Sequence, residues 1–343
     1  MVRALVVGEA LVDIVRGPRG EALGRHPGGS PANVALGLAR LGHRAELLTW
    51  LGEDEDGLLV TDHLAASGVR LVPGSTGAVR TSTATATLDG TGAATYDFEL
   101  DASMPSVDLD GLVGPEGFDV VHTGSVAAVL APGAAVVEAL LSCTRHRATV
   151  SYDPNARPDL MGDPDVTLAK VLAYVGISDV VKVSDEDLAW LRPGVDPLDV
   201  AGSWLMRGAS LVVVTRGEGG ADGVTPGGTV HVDSPPTRVV DTVGAGDSFM
   251  SGLLDGLARH RLLGAARRDA LRALDAATVR TVLTHAARIA SITCSRPGAD
   301  PPRSADLGPA DGEQPHVEQP HVDVALVGTT GSTGSTAAAG AVS

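Results

Sequence analysis

The residues with the plainest chemical content are Asp241-Thr242-Val243-Gly244-Ala245-Gly246-Asp247, followed directly by Ser248-Phe249-Met250-Ser251-Gly252. Two glycines one residue apart let the backbone bend until successive N–H groups point the same way. The residues after them open an amphipathic stretch, and the first N–H groups of a helix have no intrahelical partner. Together Gly244, Ala245 and Gly246 form an anion hole at a helix N-terminus, suited to a phosphate. Asp247 stands where the hole meets the helix. A carboxylate there can accept the proton of an attacking hydroxyl while the amides stabilise charge on a moving phosphoryl group. Phosphoryl transfer asks mainly for positioning and charge neutralisation, so a weak base suffices. The competing reading makes Asp247 an ordinary helix N-cap, a role Asp fills well. The segment alone fits both.

Other nucleotide-binding devices are missing from the sequence. There is no Gly-x-x-x-x-Gly-Lys-Ser/Thr loop and no Gly-x-Gly-x-x-Gly after the first strand, which excludes a P-loop kinase and weakens a dinucleotide enzyme. A second Gly-containing segment, Gly28-Gly29-Ser30-Pro31-Ala32-Asn33, leads into Val34-Ala35-Leu36-Gly37-Leu38-Ala39-Arg40-Leu41-Gly42. The paired glycines allow close backbone approach, and Asn33 offers both a donor and an acceptor. Taken alone, Asn33 reads as a polar residue of a helix turn and Asp13 as a strand-end cap.

The elements that must carry these residues are legible as alternation. Short apolar runs at Ala4–Val7, Leu47–Leu51, Val120–Val121, Ala148–Val150, Val180–Val183 and Leu211–Val214 mostly end in Gly, Asp, Ser or Thr. They predict buried parallel strands with polar C-terminal ends. Helical stripes lie between, at Val34, Leu38 and Leu41 and again at Met250, Leu253, Leu254 and Leu257. Strand and helix in alternation predict an α/β, doubly wound, mostly parallel central sheet with helices on both faces. Thr81–Leu88 and Ala93–Phe98 flank Asp89-Gly90-Thr91-Gly92 and predict a hairpin. It is expected as a small β lid from about residue 80 to 100, with residues 10–25 contributing. An antiparallel extension of the main sheet is the alternative. From Arg303 to Ser343 the chain is Pro-, Gly- and Ser-rich and repeats Glu-Gln-Pro-His-Val, which predicts a disordered tail behind a domain of residues 1–302.

Composition narrows the partners. Aromatics make up 3% of the 343 residues, so Val, Leu and Ala must fill the core. A net charge of −16 argues against nucleic acid and anionic membrane as partners, though not against a phosphate held by backbone amides. No run of 18 apolar residues and no cleavage signal appear, so a cytoplasmic protein is expected. Cys143 and Cys294 are expected as buried free thiols.

With both Gly-containing segments in view, residues 3–302 resemble the PfkB, or ribokinase-like, family of carbohydrate kinases, and bacterial fructokinases most. Asp241–Gly252 looks like the family's C-terminal motif and Gly28–Gly42 like its N-terminal one. The resemblance implies that Asp247 is the catalytic base and Gly244, Ala245 and Gly246 the anion hole. It implies that Asp13, at the end of the first strand, binds the sugar together with Gly28, Gly29 and Asn33. Thr215, Gly217 and Gly220 would line the nucleotide together with Ser184 and Gly246, and residues near Ala286–Ile292 would flank the adenine.

Ser151-Tyr152-Asp153-Pro154-Asn155-Ala156-Arg157 resembles an Asp-x-Asn-x-Arg segment whose arginine, here Arg157, pairs with the transferring phosphate. Ser184-Asp185-Glu186-Asp187 stands in the place of the family's Asn-x-x-Glu, which organises Mg²⁺ and its waters. This chain departs from that form: Ser184 replaces Asn, and Asp187 replaces Glu with Glu186 beside it. Asp241 would help hold a monovalent cation such as K⁺ in members that use one. The implied reaction is transfer of phosphate from ATP to a sugar hydroxyl. Fructose comes first as acceptor, 2-keto-3-deoxygluconate second, and another ketose or a nucleoside after them. A homodimer paired through the lid is also implied. A non-catalytic sugar or nucleotide sensor on the same fold is the alternative of another class.

Overall fold

The computed structural model describes residues 1–89, 94–108, 112 and 117–308. In chain order the strands are β1 (Arg3–Val7), β2 (Leu11–Arg16), β3 (Ala22–Gly28), β4 (Arg44–Leu48), β5 (Leu51–Gly52), β6 (Arg70–Leu71), β7 (Thr76–Ala78), β8 (Thr83–Leu88), β9 (Ala94–Glu99), β10 (Val120–Gly124), β11 (Thr149–Asp153), β12 (Val180–Ser184), β13 (Leu211–Thr215), β14 (Ala221–Thr225) and β15 (Gly228–Val232). The helices are α1 (Ser30–Arg40), α2 (Glu55–Ala65), α3 (Gly133–Thr144), α4 (Pro158–Met161), α5 (Pro164–Ile177), α6 (Asp185–Leu191), α7 (Pro197–Leu205), α8 (Ala245–Arg259), α9 (Arg268–Arg272) and α10 (Ala276–Cys294).

The Val-rich runs form the middle of a nine-stranded sheet, ordered β15-β14-β13-β12-β11-β10-β1-β4-β6. Pairing is parallel from β13 through β6, and β14 and β15 add an antiparallel edge. Successive side chains point to opposite faces, so each central strand feeds two cores. Ala4, Val6, Val120 and Val213 pack with α1, α8 and α10 on one face. Leu5, Val7, Val121, Val183 and Val212 pack with α3, α5, α6 and α7 on the other. The expected doubly wound sheet is thus observed, and its continuous apolar strands follow from burial on both sides.

Helices α8 and α10 meet closely because α8 carries glycines on that face. A Cβ at Gly252 would lie 2.9 Å from the Ala286 Cα. Ala286 and Ile289 are fully buried there, packed against α8. Asp255 of α8 ties three segments together, accepting from Arg259 Nε at 2.8 Å and pairing with His43 Nε2 at 2.9 Å and His285 Nε2 at 2.6 Å. Val2 N–H donates to His43 Nδ1, which leaves Nε2 as the proton-bearing donor to Asp255.

The predicted hairpin is β8 and β9, and its turn at residues 90–93 lies outside the described residues. It does not extend the main sheet. It joins β2 and β3 in a separate four-stranded sheet, β3-β2-β8-β9. Asp13 therefore sits on β2 within this second sheet, not at the end of the first strand. The chain leaves β1 after Val7 and re-enters a strand at Leu11, a break too short to read as a change of sheet. Glu9 lies in this break. Its partly buried carboxylate accepts from the Ala127 N–H at 3.3 Å and from the Ser125 hydroxyl, and burial pushes its pKa up to about 7.

Two expectations need correction. Cys143 is exposed, because α3 buries Val137, Leu140, Leu141 and Thr144 and leaves position 143 facing outward; Cys294 is half-buried, and both thiols are free. The chain also stays ordered past 302. Residues Ser304–Leu307 form a 3₁₀ turn, Arg288 donates to the Leu307 carbonyl, and Leu307 packs with Leu41, Ile289 and Ile292. The rest of the expected tail, 309–343, lies outside the described residues. Among the described residues no helix is long and apolar enough to cross a membrane.

Leu307→Ala should lower the unfolding free energy by about 2 kcal/mol, the low end for a buried Leu because the cluster is small; an unchanged denaturation midpoint would mean residues 303–308 do not contribute. A second expectation concerns Glu9. Its folded-state pKa is raised, so its contribution to stability is full below about 4.5 and is lost as pH rises through about 7. Glu9→Gln should therefore gain on the wild type by ~1–2 kcal/mol between pH 4.5 and 7.5, read as converging or crossing melting temperatures; a constant gap would contradict the assignment.

Candidate active site

The cleft opens at the C-terminal ends of the parallel strands, where an open α/β sheet normally binds ligands. Helix α8 begins there on a left-handed residue, Gly244, with φ of 73°. A Cβ at that position would also lie 2.6 Å from the Ala299 Cβ, so only glycine fits. Asp241 holds the preceding turn. Its Oδ1 accepts from Val243 N–H at 3.0 Å and its Oδ2 from Gly298 N–H at 2.8 Å. Those bonds, Val243's foremost, hold its carboxyl below the usual range. Of the three orphan amides in the first turn of α8, that of Ala245 donates back to the Thr242 carbonyl at 3.2 Å. The amides of Gly246 and Asp247 have no intrahelical acceptor. Of the residues expected to form an anion hole, Ala245 thus uses its amide to close the turn.

Asp247 is 6% exposed and is clamped from α1. Ser30 Oγ donates to its Oδ1 at 2.7 Å, and Asn33 Nδ2 donates to its Oδ2 at 2.9 Å. Helix α1 starts at Gly29, with φ of 100° and no room for a side chain: a Cβ would lie 2.6 Å from the Glu9 carbonyl oxygen. Pro31 follows in the first turn, where its missing N–H costs nothing. Asp13 lies against Gly28, whose missing Cβ leaves space for the carboxylate. Burial raises the Asp13 pKa, His26 and Arg157 oppose, and the Asp247 charge adds. Asp13, Gly28, Gly29, Asn33 and Asp247 therefore converge as expected. Asn33 spends its amide N–H on Asp247, which leaves its Oδ1 for other partners.

The opposite wall comes from β11, β12, β13 and α6. Asn155, Arg157, Ser184, Glu186, Asp187, Thr215, Gly217 and Gly246 line it. Arg157 is exposed and its Nη1 donates to Asn155 Oδ1 at 2.8 Å and to the Ala156 carbonyl at 2.9 Å, so it is folded onto its own loop at the rim. Gly220 is buried and is not part of the lining. Its carbonyl closes a turn with Arg216 N–H, and its Cα abuts the Val232 carbonyl. Ser184 and Asp187 form a capping box at the start of α6, and Asp187 Oδ1 also accepts from Ala156 N–H at 2.8 Å. Each Asp187 oxygen thus accepts one backbone N–H, and Glu186 stands exposed beside it. Among the described residues no three His, Cys, Asp or Glu converge as a metal cage. The donor set fits a cation held chiefly by phosphates with carboxylates acting through water, as Mg²⁺ is commonly bound.

Three polar residues at this site carry no assigned role in the sequence reading. Ser30 stands inside the Gly-Gly motif. Lys182 interrupts the apolar run Val180–Val183, and its Nζ pairs with Asp153 Oδ2 at 2.7 Å. Only the oddity of a lysine and an aspartate inside buried strands signals them. A smaller hollow beside Glu9 is lined by Trp50, Asp101, Ser103 and Met104, with Trp50 Nε1 donating to Asp101 Oδ2 at 3.2 Å.

Comparison with known proteins agrees with this geometry. Residues 1–306 match the pfkB family carbohydrate kinase profile. The chain is 35% identical over 268 residues to a fructokinase of Rhizobium leguminosarum bv. trifolii, covering 76% of this chain and 81% of that protein. The fold superposes with a TM-score of 0.72 on a Xylella fastidiosa fructokinase crystallised with ATP, at 27% identity over 87% of this chain and 94% of the other. It superposes at 0.70 on a double-mutant fructokinase of Vibrio cholerae O395 bound to fructose, ADP and potassium ion, at 27% identity over 87% and 94%. With its family match spanning nearly all of the described residues and both glycine motifs meeting at Asp247, the chain belongs to the pfkB family of carbohydrate kinases.

Proposed function

We propose that this carbohydrate kinase transfers the terminal phosphoryl group of ATP to a hydroxyl of fructose. The observation that carries this reading is the Asp247 carboxylate, held by Ser30 and Asn33 beside two open amides at the start of α8. The sugar lies against Asp13, the Gly28-Gly29 backbone and the free Oδ1 of Asn33. Asp247 accepts the proton of the attacking hydroxyl. The amides of Gly246 and Asp247 take up charge on the phosphoryl group in transit, where fixed dipoles need no reorganisation.

The nucleotide runs along the opposite wall past Ser184, Thr215 and Gly217, with Arg157 swinging from the rim to the transferring phosphate. A bound Mg²⁺ supplies charge neutralisation of the polyphosphate. Glu186 and Asp187 would hold its waters, and Asp241 would contribute to a K⁺ site beside the turn it pins. The second sheet covers the sugar and excludes water as a competing acceptor. Its exposed Leu23 and Tyr96 suit pairing with a second copy of the lid. Fructose is supported by the relatives, which are fructokinases; 2-keto-3-deoxygluconate is the next acceptor to test.

A coupled assay of ADP release over a panel of sugars should show fructose as the acceptor with the highest kcat/KM; saturable binding without turnover of any sugar would refute the reading. Asp247→Asn should lower kcat by ~10²–10⁴-fold, the range for loss of a general base, and leave the fructose KM within a few-fold. Ser30→Ala removes one of the two bonds that orient the base. It should lower kcat by about 5-fold, equivalent to one ordinary hydrogen bond, with the KM for ATP unchanged.

A further inference from the structure

The hollow beside Glu9 has no part in the reaction as described so far, and strand register fixes where it lies. Asp13 pairs with Ala84 across β2 and β8, and Ala84 pairs with Phe98 across β8 and β9. Paired residues share a face of the sheet, and so do residues two apart on one strand. Ser82 precedes Ala84 by two and Leu100 follows Phe98 by two, so both continue the face that carries Asp13. The ladder does reach Ser82, whose carbonyl accepts from Val12 N–H at 3.1 Å. Ser82 and Leu100 line the hollow. It therefore opens about 7 Å from Asp13, the rise of two strand residues.

The other wall is the chain around Glu9. A Cβ at Gly29 would lie 2.6 Å from the Glu9 carbonyl oxygen and 2.9 Å from the Ala10 Cα, and Ala10 also lines the hollow. The Gly28-Gly29 turn and the hollow are thus neighbours. The span from Asp13 to the hollow is close to the length of a six-carbon sugar, so an acceptor resting on Asp13 and the turn brings one end to the hollow.

Size and charge say what that end is. About 30 Å³ is left inside, and one water needs at least ~10–15 Å³. Two heavy atoms fit there, and a sugar ring does not. The lining carries two carboxylates, Glu9 and Asp101, and among the described residues no Lys, Arg or His. Asp101 is fixed at both oxygens, Oδ1 accepting from Ser103 N–H at 3.0 Å and Oδ2 from Trp50 Nε1 at 3.2 Å. Burial acts to raise its pKa, and the bonds from Ser103 and Trp50 outweigh that and hold it below the usual carboxylate range. Burial pushes Glu9 up to about 7, with Arg157 among the groups that oppose. Near neutral pH Glu9 is thus present in both forms and can accept from a hydroxyl or donate to one. A hydroxyl suits this pair. A carboxylate would meet one fixed negative charge and one half-formed, with no cation in the lining to offset them.

We propose that the hollow is the subsite for a terminal hydroxymethyl group of the acceptor, at the end remote from the hydroxyl that is phosphorylated, and that Glu9 and Asp101 restrict the acceptor to neutral ketoses. A ketose such as fructose carries a hydroxymethyl at each end, so one receives phosphate while the other fills the hollow. An aldose has one only, and 2-keto-3-deoxygluconate ends in a carboxylate. Selection of this kind comes from repulsion of the wrong partner as much as from attraction of the right one. The proposal rests on the sugar-kinase reading above, and its test separates the two.

Sugars that differ at one end test it on the wild-type protein. Of 1-deoxyfructose and 6-deoxyfructose, one loses the acceptor hydroxyl, and the other loses only the hydroxyl placed in the hollow. That second analogue should be phosphorylated with kcat/KM about 10–100-fold below fructose, the worth of a hydrogen bond to a charged group. The value for 2-keto-3-deoxygluconate should fall lower still. An analogue as good as fructose would overturn the proposal, as would equal kcat/KM for fructose and 2-keto-3-deoxygluconate. The double variant Glu9→Gln with Asp101→Asn removes both charges and keeps the shape. It should raise the ratio of 2-keto-3-deoxygluconate to fructose kcat/KM by about 10-fold, as expected when repulsion across a few ångströms is lifted, with the KM for ATP unchanged. An unmoved ratio contradicts the role given to the two carboxylates. If no sugar is phosphorylated, the ATP-dependent reading fails instead, and the same ratios measured as Kd by calorimetry still decide what the hollow binds.

Discussion

A buried carboxylate must find donors, and in this protein that requirement brings together two helix N-termini more than two hundred residues apart in the chain. Asp247 lies inside the first turn of α8, where the helix dipole favours its charge. The dipole alone would not compensate the loss of water around a group 6% exposed. Ser30 and Asn33 complete it from α1. For α1 to reach that position the chain must turn sharply off β3 at Gly28-Gly29 and pass within contact of the Glu9 carbonyl. Helices α1 and α8 are thus tied to one another through one side chain, and the second sheet, which runs into α1 through β3, carries Asp13 beside Gly28.

The same cleft resolves an electrostatic conflict. The chain carries a net charge of −16 and gathers Asp13, Asp153, Asp187 and Asp247 around the site, yet a carbohydrate kinase must admit a polyanion. Fixed N–H dipoles at α8, a lysine beneath them and an arginine at the rim supply local positive potential without altering the acidic surface. Asp187 shows how such a residue can serve two demands. Its oxygens cap α6 and tie down the Ala156 loop, and its side chain also lines the cleft.

What the sequence makes legible follows from how locally each feature is determined. Strands buried on both faces are apolar at every position, so Val180–Val183 and Leu211–Val214 announce themselves. The β8–β9 hairpin does so through β-prone residues around a Gly-containing segment. Gly244 is legible because its left-handed conformation is a backbone demand that only glycine meets cheaply. Strands β2 and β3 are harder, since Asp13, Arg16, Arg25 and His26 break the apolar pattern on a half-exposed sheet. The sheet change after Val7 hides in three residues. Partners such as Ser30 to Asp247 and Lys182 to Asp153 are set by tertiary packing alone, and residue type gives no distance. Leu307 lies beyond a Pro-Pro pair in polar sequence, and nothing local marks it as a residue that finishes a small apolar cluster.

The central claim is that the hydroxyl acceptor meets phosphate at the start of α8, between Asp247 and the open amides. It is tested most directly by a crystal structure of the protein with fructose, ADP and aluminium fluoride. The account predicts one fructose hydroxyl about 3 Å from the Asp247 carboxylate, with fluoride ligands accepting from the Gly246 and Asp247 N–H groups. A sugar bound with every hydroxyl out of reach of Asp247, or a fluoride complex held away from those amides, would contradict it.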